Sequence, residues 1–163
     1  MFLTIYHYKD IFPLSGISKS TVVFCNESGE YSIYQSDRYG FNNPDINYDN
    51  NTKERVMLIG DSFVHGACVD QEDTLSSQLN KVNIPSFSIS YGGNGPLLEL
   101  ATLIEYIVVL KPESIIWFYT ENDLPNLEIE KKSKFFVEID EELLDHVANL
   151  TEYPNVLSGK FVK

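Results

Sequence analysis

With 163 residues, the chain is long enough for one domain with a buried core, and its 43% hydrophobic content excludes a disordered protein. Its formal net charge of −12 is the opposite of the basic surface that nucleic acids require, so we exclude a nucleic-acid partner. No apolar run reaches the length of a membrane-spanning helix, and the N-terminus lacks the basic and apolar regions of a signal peptide. The compartment therefore stays open.

The first third of the chain predicts two strands and a long loop. "TVVFC" (21–25) and "YSIYQ" (31–35) have strand-like composition and are separated by the turn "NESGE", which suggests a hairpin. Residues 36–54 are rich in Asn, Asp, Gly and Pro. They predict a long ordered loop that Tyr39 and Phe41 hold down.

From residue 55 onward, short apolar runs alternate with amphipathic segments. The runs 55–59, 87–90 and 114–120 are typical of strands buried on both faces. Helices are predicted over 70–81 and from Pro96 to the Lys111-Pro112 stop. The second helix carries an apolar face at i, i+3, i+4 spacing, formed by Leu97, Leu100, Ala101, Ile104, Ile107 and Val108.

The order strand, helix, strand, helix, strand predicts an α/β fold with a parallel sheet and right-handed crossovers. We assign 1–54 to an N-terminal region of strands and loop packed on the core, and 55–163 to the α/β core of a single domain. After the third strand, the i, i+4 pairs Glu128/Lys132 and Glu130/Lys134 favour a short helix. Asp140 is a candidate cap for a further helix ending near Leu150.

Cys25 and Cys68 belong to no CxxC or Cys/His cluster, so the sequence predicts no structural zinc site and no other metal. Two explanations remain for the pair. They form a disulfide in an oxidising compartment, or they are two ordinary buried thiols. The second explanation is favoured, because cysteine is so often a core residue.

Unusual residues follow each of the three predicted parallel strands. "GDS" (60–62) follows the first, "YGGNG" (91–95) the second and "END" (121–123) the third. All three loops leave a parallel sheet at its carboxyl edge, where open α/β sheets bind their ligands. The sequence therefore predicts one crevice lined by three separate segments.

These segments supply the groups that a serine hydrolase needs. Ser62 offers a hydroxyl and a free N–H at a strand-to-helix turn, and Gly93 offers an N–H without a side chain in the way. Asn122 adds a side-chain NH₂. Asn94 and Asp123 are supporting candidates, and Asp61 is expected to organise the turn through hydrogen bonds to the backbone rather than to abstract a proton.

Each feature alone also has a simpler explanation. Ser62 is in a position typical of a helix N-cap, and Gly-Gly-Asn-Gly is most often only a turn. Asn122 and Asp123 are typical of a helix cap or an Asx-turn. Compatible groups at three consecutive strand ends are much less expected by chance than any one of them.

The three blocks resemble the SGNH/GDSL hydrolases, a family of esterases and lipases with a flavodoxin-like three-layer α/β sandwich. "GDS" (60–62) is similar to the block with the nucleophile, Gly93 to the second-block glycine and Asn122 to the third-block asparagine. The resemblance implies that Ser62 is the nucleophile and that the oxyanion hole consists of the Ser62 N–H, the Gly93 N–H and the Asn122 side chain. It covers roughly residues 15–130.

Within the family, three stretches together are similar to a bacterial subgroup found in surface-polysaccharide gene neighbourhoods: "NESGEYSIYQSDRYGFNNPD", "GDSFVHGACV" and "GGNGPL". An acyl ester, such as an O-acetyl group on a carbohydrate, is the substrate class that this implies, with no cofactor. One position departs from the family pattern. The third block usually reads Gly-x-Asn-Asp, and Thr120 stands in place of its glycine.

The family's fourth block, Asp-x-x-His, supplies the general base, and this sequence contains no such motif. His65 is three residues after Ser62 and badly placed to accept its proton. His146 directly follows an Asp on a predicted amphipathic helix, where a lone histidine is usually a surface or core residue, and His7 lies in an irregular segment. Only three of about five expected strands are found. We therefore expect the chain to be the N-terminal part of a longer hydrolase, with the base unidentified.

Two other functions remain open. A binding module for carbohydrate or another ligand would keep the crevice without the chemistry, with Glu121 in the site. A nucleotide or phosphate binder would use "GGNGP" (92–96) before a helix N-terminus, although neither a P-loop lysine nor GxGxxG is present. The sequence does not separate a hydrolase from an acyltransferase.

Overall fold

The computed structural model describes residues 14–27, 29–49 and 55–132. Its first two strands are β1 (Thr21–Phe24) and β2 (Ser32–Gln35), which pair antiparallel as predicted, with Thr21 opposite Gln35. The remaining elements are β3 (Val56–Ile59), α1 (Ser62–His65), α2 (Leu75–Lys81), β4 (Ser86–Ser88), α3 (Pro96–Leu110), β5 (Ser114–Trp117) and α4 (Asp123–Glu130). The predicted helix at Asp140 and the partner Lys134 lie outside the described residues.

The described part of the core is a mixed α/β arrangement around a three-stranded parallel sheet in the order β4-β3-β5. β3 lies in the centre, and Met57, Leu58 and Ile59 on it are fully buried. Phe41 from the long loop packs with Met57 and with residues of β4 and α3 in one hydrophobic cluster. The parallel sheet predicted from strand and helix alternation is confirmed.

Two predicted burial patterns are wrong. α3 turns a different face inward: its buried residues are Glu99, Thr102, Leu103, Ile107 and Leu110. Val108 is 60% exposed. Apolar side chains surround this helix on most sides, so periodicity alone did not determine its inner face. β5 is also not buried on both faces, since Ile116 and Trp117 are 44% and 41% exposed. It lies at the edge of the described sheet.

A fully buried carboxylate, that of Asp37, organises the long loop. Asp37 Oδ1 accepts hydrogen bonds from the N–H groups of Tyr39 and Phe41, and Oδ2 accepts from Asn43 Nδ2 and Tyr48 Oη. Burial raises the pKa of Asp37, while these hydrogen bonds act to lower it. The loop is therefore built around a satisfied buried acid, and Phe41 contributes to the core as the sequence predicted.

Asn43 joins the same loop to the parallel sheet. Its Nδ2 donates to the carbonyl of Ser88 at 2.8 Å, and its Oδ1 accepts from the N–H of Ser88 at 2.8 Å. One amide side chain thus satisfies both backbone groups of a residue on the outer side of β4, as a neighbouring strand would. The loop therefore covers the free edge of β4.

Cys25 and Cys68 form a disulfide that connects the end of β1 to the segment after α1. The buried-thiol interpretation favoured above is therefore wrong. Its basis was the frequency of buried cysteine, whereas the pairing depends on a contact between residues 43 positions apart that the sequence does not reveal. Disulfides persist in oxidising environments.

We expect Asp37→Ala to lower the free energy of unfolding by about 2–4 kcal/mol, because four buried donors lose their acceptor. Denaturant unfolding measures this loss. Asp70→Ala is the matched control, since Asp70 is exposed and its side chain makes no described contact. Equal stability of the two variants would contradict the role given to Asp37.

Opening the disulfide is expected to cost about 4 kcal/mol of stability, the chain-entropy value for a closed loop of this length. Denaturant unfolding of the wild type with and without reductant measures the difference. A double variant, Cys25→Ser with Cys68→Ser, is the control. Reductant should leave its unfolding curve unchanged, and the reduced wild type should unfold at the same denaturant concentration as this variant. Coincident curves for oxidised and reduced wild type would contradict the expectation.

Candidate active site

The turn between β3 and α1 carries Asp61 and Ser62. Asp61 is the N-cap of α1, and its Oδ1 accepts a hydrogen bond from the Phe63 N–H at 3.0 Å. Ser62 is therefore not the cap of this helix but its first residue. Its side chain is half-buried, and neither its Oγ nor its N–H has a hydrogen-bond partner among the described residues. The simpler explanation for Ser62 no longer applies.

The third loop is joined to this turn through the other oxygen of Asp61. Asn122 Nδ2 donates to Asp61 Oδ2 at 2.7 Å, so residues 61 positions apart are in direct contact. Asn122 occupies the N-cap position of α4 without making a side-chain cap. An amide NH₂ has two donor hydrogens, and Asp61 uses one of them. The second remains for a ligand.

Thr120 takes part in the same contacts. Its Oγ1 lies 3.1 Å from Asp61 Oδ2 and 2.5 Å from Asn122 Oδ1, so one hydroxyl proton serves two acceptors. A glycine at this position would lack these contacts. Threonine therefore adds a restraint on the Asn122 amide.

The second loop is a turn, as its glycines predicted, and the Asn94 N–H donates to the Tyr91 carbonyl. Gly93 has φ of +91°, a conformation that favours glycine, and a Cβ there would meet only open space. The Gly93 N–H has no partner among the residues described. It is available to an incoming ligand.

His65 connects the second loop to α1. Its Nδ1 accepts a hydrogen bond from the Gly92 N–H at 3.2 Å, and its Nε2 lies 2.9 Å from Tyr34 Oη. With Nδ1 as acceptor, the proton of the neutral ring is on Nε2, which donates to Tyr34. The ring also stacks on Tyr91, with centroids 4.9 Å apart. Both ring nitrogens are occupied, so His65 is not placed to take the Ser62 proton.

Burial lowers the pKa of His65 to about 4, and its side chain is only 1% exposed. The imidazole is therefore neutral at physiological pH. Burial likewise raises the pKa of Tyr34, which keeps its hydroxyl protonated. Sequence reasoning considered His65 only as a base and missed this positioning role, since Tyr34 and Gly92 are far from it in sequence.

The N-terminus of α3 is already occupied by a carboxylate of the protein. Glu130 Oε1 accepts from the N–H groups of Gly95 and Leu98, and Oε2 accepts from the Leu97 N–H. A phosphate would need these same donors. This arrangement argues against the nucleotide or phosphate binder. Glu130 therefore caps α3 rather than supporting its own helix, and Glu128 pairs with Lys131 at 3.7 Å instead of with Lys132.

Three buried acidic residues lie in or near the third loop. Asp61, Glu99 and Asp123 are each at most 2% exposed. Asp123 Oδ2 accepts from the Thr120 N–H, whereas Asp123 Oδ1 and Glu99 Oε1 are buried without a partner among the described residues. Burial raises the pKa of Asp123 and raises that of Glu99 to about 8. The sequence signal for Glu99, an acidic residue in a helix rich in apolar side chains, is shared by the exposed Glu105.

Within the described residues, one group of metal-type ligands is close enough to bind an ion: Cys25, Glu27 and Cys68. Its two sulfur atoms form the disulfide, so neither is a thiolate. None of the helices described is both long and apolar enough to cross a bilayer.

Comparison with models of protein families found no match to this chain, and comparison with curated proteins found no similar one either. The assignment of the site therefore depends on the contacts of its residues alone. The three predicted segments are connected: Asp61 contacts the third loop, and α1 contacts the second loop through His65. His7 and His146 lie outside the described residues, and Glu121 is exposed.

Protonation of His65 is expected to destabilise the fold. The free energy of unfolding should fall as pH decreases from 6.5 to about 4, because the unfolded state takes up the proton first. The contribution of His65 is about 3 kcal/mol.

Denaturant unfolding of wild type and His65→Asn across this range isolates the effect. The variant keeps an acceptor for Gly92 but does not titrate, so the difference in stability between the two proteins should change with pH. The other titrating groups are common to both. A constant difference would show that His65 is not a buried neutral imidazole.

Proposed function

We propose that this protein is a serine ester hydrolase of the SGNH/GDSL type that acts on acyl esters, with O-acetyl groups on a carbohydrate as the substrate class. One observation carries the proposal. The Ser62 hydroxyl, the Ser62 N–H and the Gly93 N–H all lack described partners, and Asn122 retains a free donor hydrogen. Nucleophile and oxyanion donors are thus unoccupied on three loops that hydrogen bonds hold together.

The sheet order supports the same fold family. Numbered from the first parallel strand, the order β4-β3-β5 is 2-1-3, which is the beginning of the flavodoxin-like order 2-1-3-4-5. In such sheets ligands bind outside the carboxyl ends of the strands, and the three loops follow those ends. A flavodoxin-like three-layer sandwich is therefore the architecture that we propose.

In the proposed mechanism, Ser62 Oγ attacks the acyl carbonyl and forms a tetrahedral intermediate. Its oxyanion accepts hydrogen bonds from the Ser62 N–H, the Gly93 N–H and the free N–H of Asn122. Collapse releases the alcohol and leaves an acyl-enzyme on Ser62, which water hydrolyses. Phe63, next to the nucleophile and 74% exposed, offers an apolar surface for the acyl group or a sugar ring.

The Ser62 proton needs an acceptor, because an unassisted serine is a weak nucleophile. No described side chain hydrogen-bonds to Ser62 Oγ, and His65 is occupied on both nitrogens. His146, which directly follows Asp145, and His7 are the remaining histidines of the chain. Variants His146→Asn and His7→Asn, assayed for the pH dependence of kcat, test each as the base.

The second candidate is a binding module that keeps the crevice without turnover. It is favoured by the same absence of a base from the described contacts of Ser62. In that case Ser62 and Asn122 would hydrogen-bond to a sugar instead of stabilising a transition state. An esterase releases the acyl group and a binding module does not, so one set of variants separates the two functions.

Ser62→Ala should abolish hydrolysis of an acetylated oligosaccharide and of a small chromogenic acetate ester. Asn122→Ala should lower kcat by about 100- to 1000-fold with little change in KM, because an oxyanion donor acts mainly in the transition state. Acetate release measures both. Ser18→Ala, at an exposed serine whose hydroxyl donates to the Arg38 carbonyl, is the matched control and should retain full activity.

Wild-type activity that survives Ser62→Ala would overturn the proposed nucleophile. An inactive wild type that binds the oligosaccharide, measured by calorimetry, would favour the binding module. In that case Asn122→Ala should weaken binding.

A further inference from the structure

Glu99 is a buried acidic residue close to the candidate site. It lies in the first turns of α3 and is 1% exposed. Its Oε2 accepts a hydrogen bond from Trp117 Nε1 at 2.6 Å, which joins α3 to the last residue of β5. Its Oε1 has no partner among the described residues. The proposed mechanism makes no use of it.

Among the residues that the structure describes, the charges that act on Glu99 are all negative. Asp123 on α4, Asp61 on the turn after β3 and Glu130 at the end of α4 each act on it, in decreasing order of effect. None of the described ion pairs includes Glu99, Asp123 or Asp61. A buried carboxylate with one donor and three negative neighbours is strongly unfavourable, so the charge must be neutralised.

A proton fits this position better than a metal ion. In the part of the chain that is described, the three carboxylates do not come together closely enough to form a group of metal ligands. Asp123 Oδ1 is the other buried carboxyl oxygen without a donor, and Asp123 is the strongest charge acting on Glu99. A proton on Glu99 would therefore remove the charge that Asp123 repels.

We propose that Glu99 is a protonated positioning residue, whose neutral form spares Asp123 a repelling charge and so keeps the third loop and Asn122 in place. Asp123 fixes the backbone of Thr120, and Asp61 fixes the Asn122 amide. Loss of the proton places a second uncompensated charge beside Asp123 and disturbs the loop. The consequence for catalysis rests on the proposed function, whereas the protonation itself does not.

Trp117 reports the state of Glu99 directly, because it is the single tryptophan of the chain and donates to that carboxyl. We expect its fluorescence in the wild type to titrate with a midpoint near pH 8, over a range of about pH 6 to about pH 9 where tyrosines stay protonated. In Glu99→Gln the emission should be independent of pH and match the low-pH wild type. Gln keeps an acceptor for Trp117 and is uncharged, as the protonated acid is.

Two further variants sharpen the test. Asp123→Asn removes the largest neighbouring charge and should move the midpoint to lower pH. Glu105→Gln changes an exposed glutamate on the same helix and should leave the wild-type titration unchanged. If the protein is an esterase, wild-type kcat should also fall with the same midpoint, and Glu99→Gln should remain active at pH 9.

Three results would overturn the proposal. Wild-type emission that does not change over this range would show that Glu99 does not titrate there. A large fall in melting temperature of Glu99→Gln at every pH would show that the charged form is required. A rise in wild-type melting temperature with added Mg²⁺ or Ca²⁺ that Glu99→Gln abolishes would assign the pocket to a metal ion. A titration of Trp117 without any esterase activity would support the protonated Glu99 and count against the proposed function alone.

Discussion

The candidate site depends on the carboxylate of Asp61. One oxygen caps α1 and so fixes the turn that presents Ser62, while the other accepts the amide of Asn122. Asp61 is 2% exposed, and hydrogen bonds shielded from water are stronger than exposed ones. The relative position of the proposed nucleophile and the proposed oxyanion donor is therefore set by a single side chain directly adjacent to the nucleophile in sequence.

Residues on other elements restrain the neighbouring loops. His65 holds the second loop, and Glu130 fixes the start of α3 immediately after that loop. Glu99 and His65 are both buried close to the loops, and the directions of their pKa shifts favour the uncharged form of each. Asp61 thus acts in an interior where burial disfavours the charged forms of Glu99 and His65. Lowering the pH protonates His65 and weakens its contacts, whereas raising the pH deprotonates Glu99.

The sequence was informative where a pattern has one structural solution. Alternation of short apolar runs with amphipathic segments specified the parallel sheet, and the residues after each strand identified the loops that Asp61 and His65 connect. The sequence was uninformative where one pattern is compatible with several structures. α3 is apolar on most sides, so the inward position of Glu99 depends on which helix face meets β5. Contacts such as Glu130 with Gly95, or Cys25 with Cys68, join residues far apart in sequence and have no local signature.

The disulfide has a topological consequence. Residues 25 to 68 form a covalent ring that contains β2, β3 and the whole turn with Asp61 and Ser62. A single cut of the backbone anywhere inside this ring cannot release a fragment. The hairpin and the proposed nucleophile would remain parts of one molecule, and the two new chain ends could separate only as far as the surrounding hydrogen bonds allow. Proteolytic nicking of the loop between β2 and β3 would therefore become visible as a change in mass on a gel only after reduction.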